Sequence, residues 1–326
     1  MSLVKYISYL KAKKYDYYLL FAACYLHDIS MINIARPEDL YTDKEKTDEL
    51  LTWFMIENNK KKNKGETIEL LHSVYTKIEN FFEEKIRSKH PDDSAKYIRN
   101  RNELFFIDCS TREIISEISN SHGYDTKDIY YLKGTGSGKL YSEKKDKILI
   151  RFADLLDISK YRVSKPILDY NIKNMPSVSA FHWVSHLYTE KHRITLEYPH
   201  SESIGDIIDE KIIITIYVGY NNKTRVMKST KCIGVSKKTK DIDNGFEIVT
   251  TDEGGCDNCD CVCAWFCYKN KYLINEIKAM NEYLKQIPDD QRLFNTEIIL
   301  RVKFSNIDYI PEEYNKLITR ETINNA

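Results

Sequence analysis

Apolar residues change their spacing near Arg193, and this change constrains the fold more than any other feature of the chain. Before it they recur every three or four positions, in residues 17–26, 40–56, 67–86, 112–118 and 147–156, which is the period of amphipathic helices. After it they alternate, as Ile194, Leu196 and Tyr198, then Ile212, Ile214, Ile216 and Val218, and later Ile298, Leu300, Val302 and Phe304, which is the period of half-buried strands. Residues 271–287 return to helical spacing through Ile274, Ile277, Met280 and Leu284. The expected fold is therefore mainly α, with a helical bundle over residues 1–192 followed by a smaller α+β domain over residues 193–326. The later two strand groups should share one buried face under that helix, because a one-residue slip would expose every one of these side chains. Polar punctuation places loops at residues 36–39, 60–65, His90-Pro91-Asp92-Asp93 and 134–138.

Composition excludes several classes of function. Lys and Arg total 49 against 49 Asp and Glu, so the net charge of zero announces neither a nucleic-acid backbone nor an anionic membrane as partner. The longest apolar run, residues 17–26, is too short to cross a bilayer and leads straight into His27-Asp28. No small-residue cleavage site follows an apolar stretch at the start, so a cytoplasmic location is expected.

Chemistry concentrates where apolar helices end. Ala22-Ala23-Cys24-Tyr25-Leu26-His27-Asp28 carries two adjacent metal-capable side chains, and burying such a pair without a partner is costly. Comparable placements follow in Ile86-Arg87-Ser88-Lys89-His90 with Ser94-Ala95-Lys96-Tyr97-Ile98, in Ile118-Ser119-Asn120-Ser121-His122, and in Ile150-Arg151-Phe152-Ala153-Asp154-Leu155-Leu156-Asp157.

This order of His-Asp, His, His and Asp on separate helices resembles the HD superfamily of metal-dependent phosphohydrolases, over about the first 190 residues. The surrounding phrases strengthen it, because the family's "Arg-x-x-His…Ser-x-x-Tyr-Ile" and "Leu-Arg-x-Ala-Asp-x-Leu-Asp" are echoed here. Within the superfamily the chain looks most like the divergent HD domains associated with histidine-kinase-type (GHKL) ATPases, a likeness shared by Ser177-Val178-Ser179-Ala180-Phe181-His182-Trp183. The resemblance implies an HD-type bundle in which His27, Asp28, His90, His122 and Asp154 bind a divalent metal, Mn, Mg, Fe or Zn. It implies hydrolysis of a nucleotide or other phosphate ester or anhydride by a metal-activated water. The family pattern also has a histidine upstream of the His-Asp pair, and none precedes His27 in this sequence, so either the natural chain extends further or the site is degenerate. The alternative function is accordingly an HD module of little or no activity that senses a nucleotide or metal in signalling and regulates an attached or associated ATPase.

Asp28 is the expected centre of catalysis. Arg87 and Arg151 each stand three residues from a proposed ligand, so each either clamps a phosphate or pairs with a neighbouring carboxylate. Asp157 is expected to support Asp154 or cap its helix. His182, His186, His192 and His200 lack persuasive ligand spacing, and His72 reads as an ordinary helix-face residue. The cluster Cys256, Cys259, Cys261, Cys263 and Cys267 supports two readings: a structural zinc site, or a hairpin tip followed by a strand with small apolar thiols on one side. Gly134-x-Gly136-x-Gly138-Lys139 lacks the spacing of a phosphate loop and reads as a lid between His122 and Asp154.

Overall fold

The structure is a computed structural model and describes residues 14–32, 44–60, 64–130, 141, 143–172, 175, 177–197, 211–219, 239–242, 245–248, 262–286, 297–305 and 314. The Gly134–Gly138 lid and Cys256, Cys259 and Cys261 lie outside these residues, as do Tyr198 and His200. The chain groups into two compact units, one of residues 19–123 and one of residues 1–18 with 124–326. We call them the histidine unit and the sheet unit. No helix of the described residues is long and apolar enough to cross a membrane.

The histidine unit takes the end of α1 (Lys14–Leu26), a 3-10 turn at Ile29–Ile32, α2 (Lys44–Lys60), α3 (Lys64–Asn100) and α4 (Cys109–Asn120). Its core is apolar at helical spacing, with Leu19 and Ala23 of α1 and Ile98, Ile115 and Ile118 of α3 and α4 fully enclosed. Asp108 starts α4 by accepting from the Thr111 N–H at 2.9 Å, which satisfies one of the donors a helix start leaves open. A loop at His90-Pro91 was expected, yet α3 runs through it with Pro91 inside the helix. Proline costs such a helix one hydrogen bond and frees the carbonyl four residues earlier, here that of Arg87.

The sheet unit contains α5 (Thr126–Tyr130), α6 (Glu143–Leu155), α7 (Lys165–Asn171) and α8 (Ser177–Tyr188). These are followed by β1 (Thr189–Glu197), β2 (Lys211–Gly219), β3 (Thr239–Ile242), β4 (Gly245–Ile248), α9 (Val262–Lys269), α10 (Lys271–Gln286) and β5 (Glu297–Ser305). The five strands have the order β1-β2-β5-β4-β3. Only β2 and β5 are parallel, and their register sets Ile212 beside Ile298, Ile214 beside Leu300 and Ile216 beside Val302, as the alternation predicts. Strand β2 departs from strict half-burial, because Ile213 and Thr215 are buried as well, the mark of a strand covered on both faces. Each enclosed Ile contributes about 1.5–3 kcal/mol relative to exposure.

Helix α10 lies against β5 through Leu273, Ile277, Met280 and Leu284, while Ile274 sits at the edge of that face. Asn281 fastens the two, accepting from the Ile298 N–H at 2.9 Å and donating to the Ile298 carbonyl at 2.8 Å. The Trp265 indole of α9 donates to Ser185 of α8 at 3.0 Å, so helices on both sides of the spacing change at Arg193 pack in one unit. The segment around Cys263 is helical rather than a strand, and Cys267 is half-buried on α9.

Buried charge in this unit has two forms. Arg151 on α6 meets Glu276 on α10 in a two-pronged ion pair, Nε to Oε1 at 2.9 Å and Nη2 to Oε2 at 2.8 Å, with both side chains almost wholly enclosed. Tyr130 also donates to Glu276, at 3.0 Å. Asp146 on α6 is completely buried, and burial, followed by the neighbouring Asp16, pushes its carboxyl up to about 9.

Two outcomes follow from these groups. Replacing Glu276 by Ala leaves Arg151 buried without its counter-charge and should cost about 3–5 kcal/mol in denaturant unfolding. Asp146 keeps its proton in the folded state to about 9, whereas the unfolded chain loses it near pH 3.9. Between those values the folded state holds the extra proton, so its contribution to stability declines as pH rises. Asp146→Asn should therefore flatten the fall in Tm across this range and raise Tm at pH 8, as followed by circular dichroism.

Candidate metal centre

Three histidines of the histidine unit share one local geometry. His27 stands just past α1, His90 lies within α3 ahead of Pro91, and His122 follows α4 in a short 3-10 turn, Ser121–Gly123. In each, ring Nδ1 lies against the main-chain carbonyl three residues back: Cys24 at 3.0 Å for His27, Arg87 for His90 and Ser119 for His122. A carbonyl oxygen only accepts, so Nδ1 carries the proton and Nε2 keeps its lone pair. Two of these carbonyls lie in the last turn of a helix, and Pro91 removes the helical donor of the third inside α3.

The Nε2 atoms then converge. His90 and His122 bring theirs within 2.8 Å of each other, and the Asp28 Oδ1 atom lies 3.3 Å from the first and 3.7 Å from the second. His27 Nε2 is 3.4 Å from Asp28 Oδ2. The imidazole of His122 is almost enclosed, whereas Asp28 is 44% exposed and leaves one side of the cluster open. Burial acts to raise the Asp28 carboxyl, but the facing His90, His27 and His122 imidazoles outweigh it and hold Asp28 below its ordinary value.

Neighbouring contacts fix this arrangement. Ser94 of α3 accepts from the Ser30 N–H at 3.1 Å and donates to the Ser30 hydroxyl at 2.9 Å, while that hydroxyl donates to the His90 carbonyl at 2.9 Å. The turn after His27-Asp28 is thereby tied to the turn bearing His90. Opposite, Gly123 packs on Pro91, and a methyl group placed on it would stand 2.5 Å from Pro91 Cγ.

The donor set fits a divalent cation. Two lone pairs and a carboxylate oxygen that face one another repel unless a positive charge lies among them. Ligands at 2.0–2.1 Å from one ion and at right angles to each other stand about 2.9 Å apart, close to the His90–His122 separation. Imidazole with carboxylate suits borderline metals such as zinc or iron and admits manganese. Among the described residues, Asp28, His90 and His122 form a group able to hold an ion.

The remaining expected residues belong to other elements. Asp154 is half-buried near the end of α6 in the sheet unit, and Asp157 beyond it pairs with Arg162 at 3.3 Å. Arg151 is not a phosphate clamp, because Glu276 and the Tyr124 carbonyl occupy its guanidinium inside the unit. Arg87 lies on the exposed side of α3, where Glu83 takes it at 2.7 Å. His182 meets Lys269 at 3.2 Å, and His186 is pushed down to about 4 by burial, then by Lys269. His192 is likewise lowered by burial, and His72 is exposed on α3. Ser30, Gly123 and Pro91 were not legible as site residues; the close pairing of Pro91 after His90 with Gly123 after His122 was their only signal.

Gly123→Ala should push the His122 turn away from Pro91 without removing any ligand. The expected outcome is at least a tenfold loss of metal affinity in competition with a chromophoric chelator, with helical circular dichroism retained. Unchanged affinity would mean that the Gly123–Pro91 contact does not set the histidine separation.

A protein-family model described as HD-CE matches residues 10–212, a span that includes every proposed metal ligand. No curated protein matches the chain, and no solved structure does. With more than half of its length matched, and with histidines and an aspartate gathered as an HD-type site requires, the chain belongs to the HD-CE family.

Proposed function

We propose that the protein is a metal-dependent phosphohydrolase acting on a nucleotide or another phosphate ester or anhydride. The observation that supports this most is the commitment of every cluster Nδ1 to a carbonyl, which aims His90 and His122 Nε2 at Asp28. A divalent cation bound there, Mn, Mg, Fe or Zn, would supply a coordinated water acidic enough to ionise near neutrality. His90 and His122 would hold the cation, and their Nδ1 hydrogen bonds raise ring basicity and prevent rotation. Asp28 stays ionised at neutral pH and balances charge on the open side, where a phosphate has access. His27 orients Asp28 through Oδ2. Asp154 is proposed as a further ligand on the strength of its family-like phrase.

A second reading is favoured by the arginines. Arg87 and Arg151 both pair with carboxylates, so neither expected clamp faces a phosphate. A site with cation but without clamp suits a module that senses a nucleotide or metal and regulates an attached or associated ATPase, such as the histidine-kinase type with which the HD domains it resembles are associated.

Elemental analysis of the purified protein, together with phosphate release from a nucleotide panel in manganese or magnesium, separates the two. Hydrolysis is expected, with bound divalent metal lost in Asp28→Ala and turnover reduced at least a hundredfold. Asp154→Asn should weaken metal retention if it is a ligand. Retained metal without turnover would favour the sensor, and failure of the protein to bind any of these metals would sink both readings.

A further inference from the structure

Within the sheet unit, α5 and α10 line a half-open pocket of about 300 Å³ that involves none of the cluster residues. Such a volume lies at the small end of ligand pockets. Tyr130 and Tyr283 stand on its wall with ring centroids 5.7 Å apart and planes inclined by 52°. Neither ring swings freely. The Tyr130 hydroxyl is held by Glu276, which Arg151 clamps in turn, and the Lys144 ammonium lies 3.9 Å from the Tyr283 ring centroid. The wall is therefore formed before a ligand arrives, which lowers the cost of binding.

The lining is cationic and rich in amides. Lys127 and Lys278 face one carboxylate, Glu282, among the described lining residues. Lys144 adds a third ammonium, which donates to the Tyr130 carbonyl and lies over the Tyr283 ring. Burial holds that ammonium down to about 8, so an anion nearby would be favoured in both charge and protonation. Asn275 and Gln286 each present donors and an acceptor, the complement of a heteroaromatic ring edge. A tyrosine ring offers such a ligand a stacking face.

We propose that the cavity between α5 and α10 binds a nucleoside monophosphate, with the base against Tyr283 and the Asn275 and Gln286 amides and the phosphate between Lys127 and Lys278. This site is separate in residues from the His/Asp cluster and does not depend on how that cluster functions. It binds without bond making or breaking.

Calorimetric titration of the full chain in EDTA with AMP, GMP, CMP, UMP and inorganic phosphate tests it. At least one nucleotide should bind, ten times or more tighter than phosphate. Lys278→Glu, a surface change whose fold circular dichroism checks, should weaken it at least tenfold, as should Tyr283→Ala. Asp28→Ala should leave it unchanged. Binding that survives Lys278→Glu but disappears in Asp28→Ala would assign the nucleotide to the cluster and overturn the proposal. Equal affinity for phosphate, or no binding by any of the four nucleotides, would overturn it as well.

Discussion

The main-chain carbonyl three residues before each histidine is the constraint on which the metal centre depends. Three such carbonyls occur at Cys24, Arg87 and Ser119, and each accepts from the histidine three residues on. Two lie at helix ends and one is four residues before Pro91, so backbone geometry sets the tautomer and direction of every ring. The metal-facing nitrogens therefore need no carboxylate partners behind them. The turns themselves do the orienting, while the Ser30–Ser94 bonds and the Gly123–Pro91 contact fix the spacing between turns.

The sheet unit is organised around a different necessity, the satisfaction of buried charge. Arg151 and Glu276 are both enclosed, and neither is tolerable alone. Their pairing joins α6 to α10 and recruits Tyr130, which makes the wall of the α5–α10 cavity an extension of the same network. A guanidinium that sequence spacing offers to a phosphate is thus used for architecture.

Legibility in the sequence tracked the distance over which each rule acts. His27, Asp28, His90 and His122 were legible because each ends an apolar helical face, a local signal. The β2–β5 register was legible because alternation carries it, though the second buried face of β2 was hidden by Thr215 and Tyr217 interrupting the isoleucines. Pro91 misled, since proline ends helices more often than helices absorb it, and only packing against Gly123 reveals why this one is kept. Glu276 as the partner of Arg151 was out of reach: the two are 125 residues apart, and no periodicity links α6 to α10. The grouping of α8 with α9 through Ser185 and Trp265 is of the same long-range kind.

The parallel pairing of β2 with β5 has an evolutionary side. Because Lys211 lies beside Glu297, all the chain between Gly219 and Glu297 forms a single crossover whose two ends are fixed by the sheet. The entropy of closing such a crossover grows only with the logarithm of its length, about 0.6 kcal/mol for each doubling. With Asn281 fastening α10 to the start of β5, β4 paired with β5 and Trp265 of α9 bonded to Ser185, length added between these elements costs little loop-closure entropy. The cysteine-rich stretch lies within it, between β4 and α9, so new binding elements can be acquired there while the sheet and the histidine turns keep their geometry.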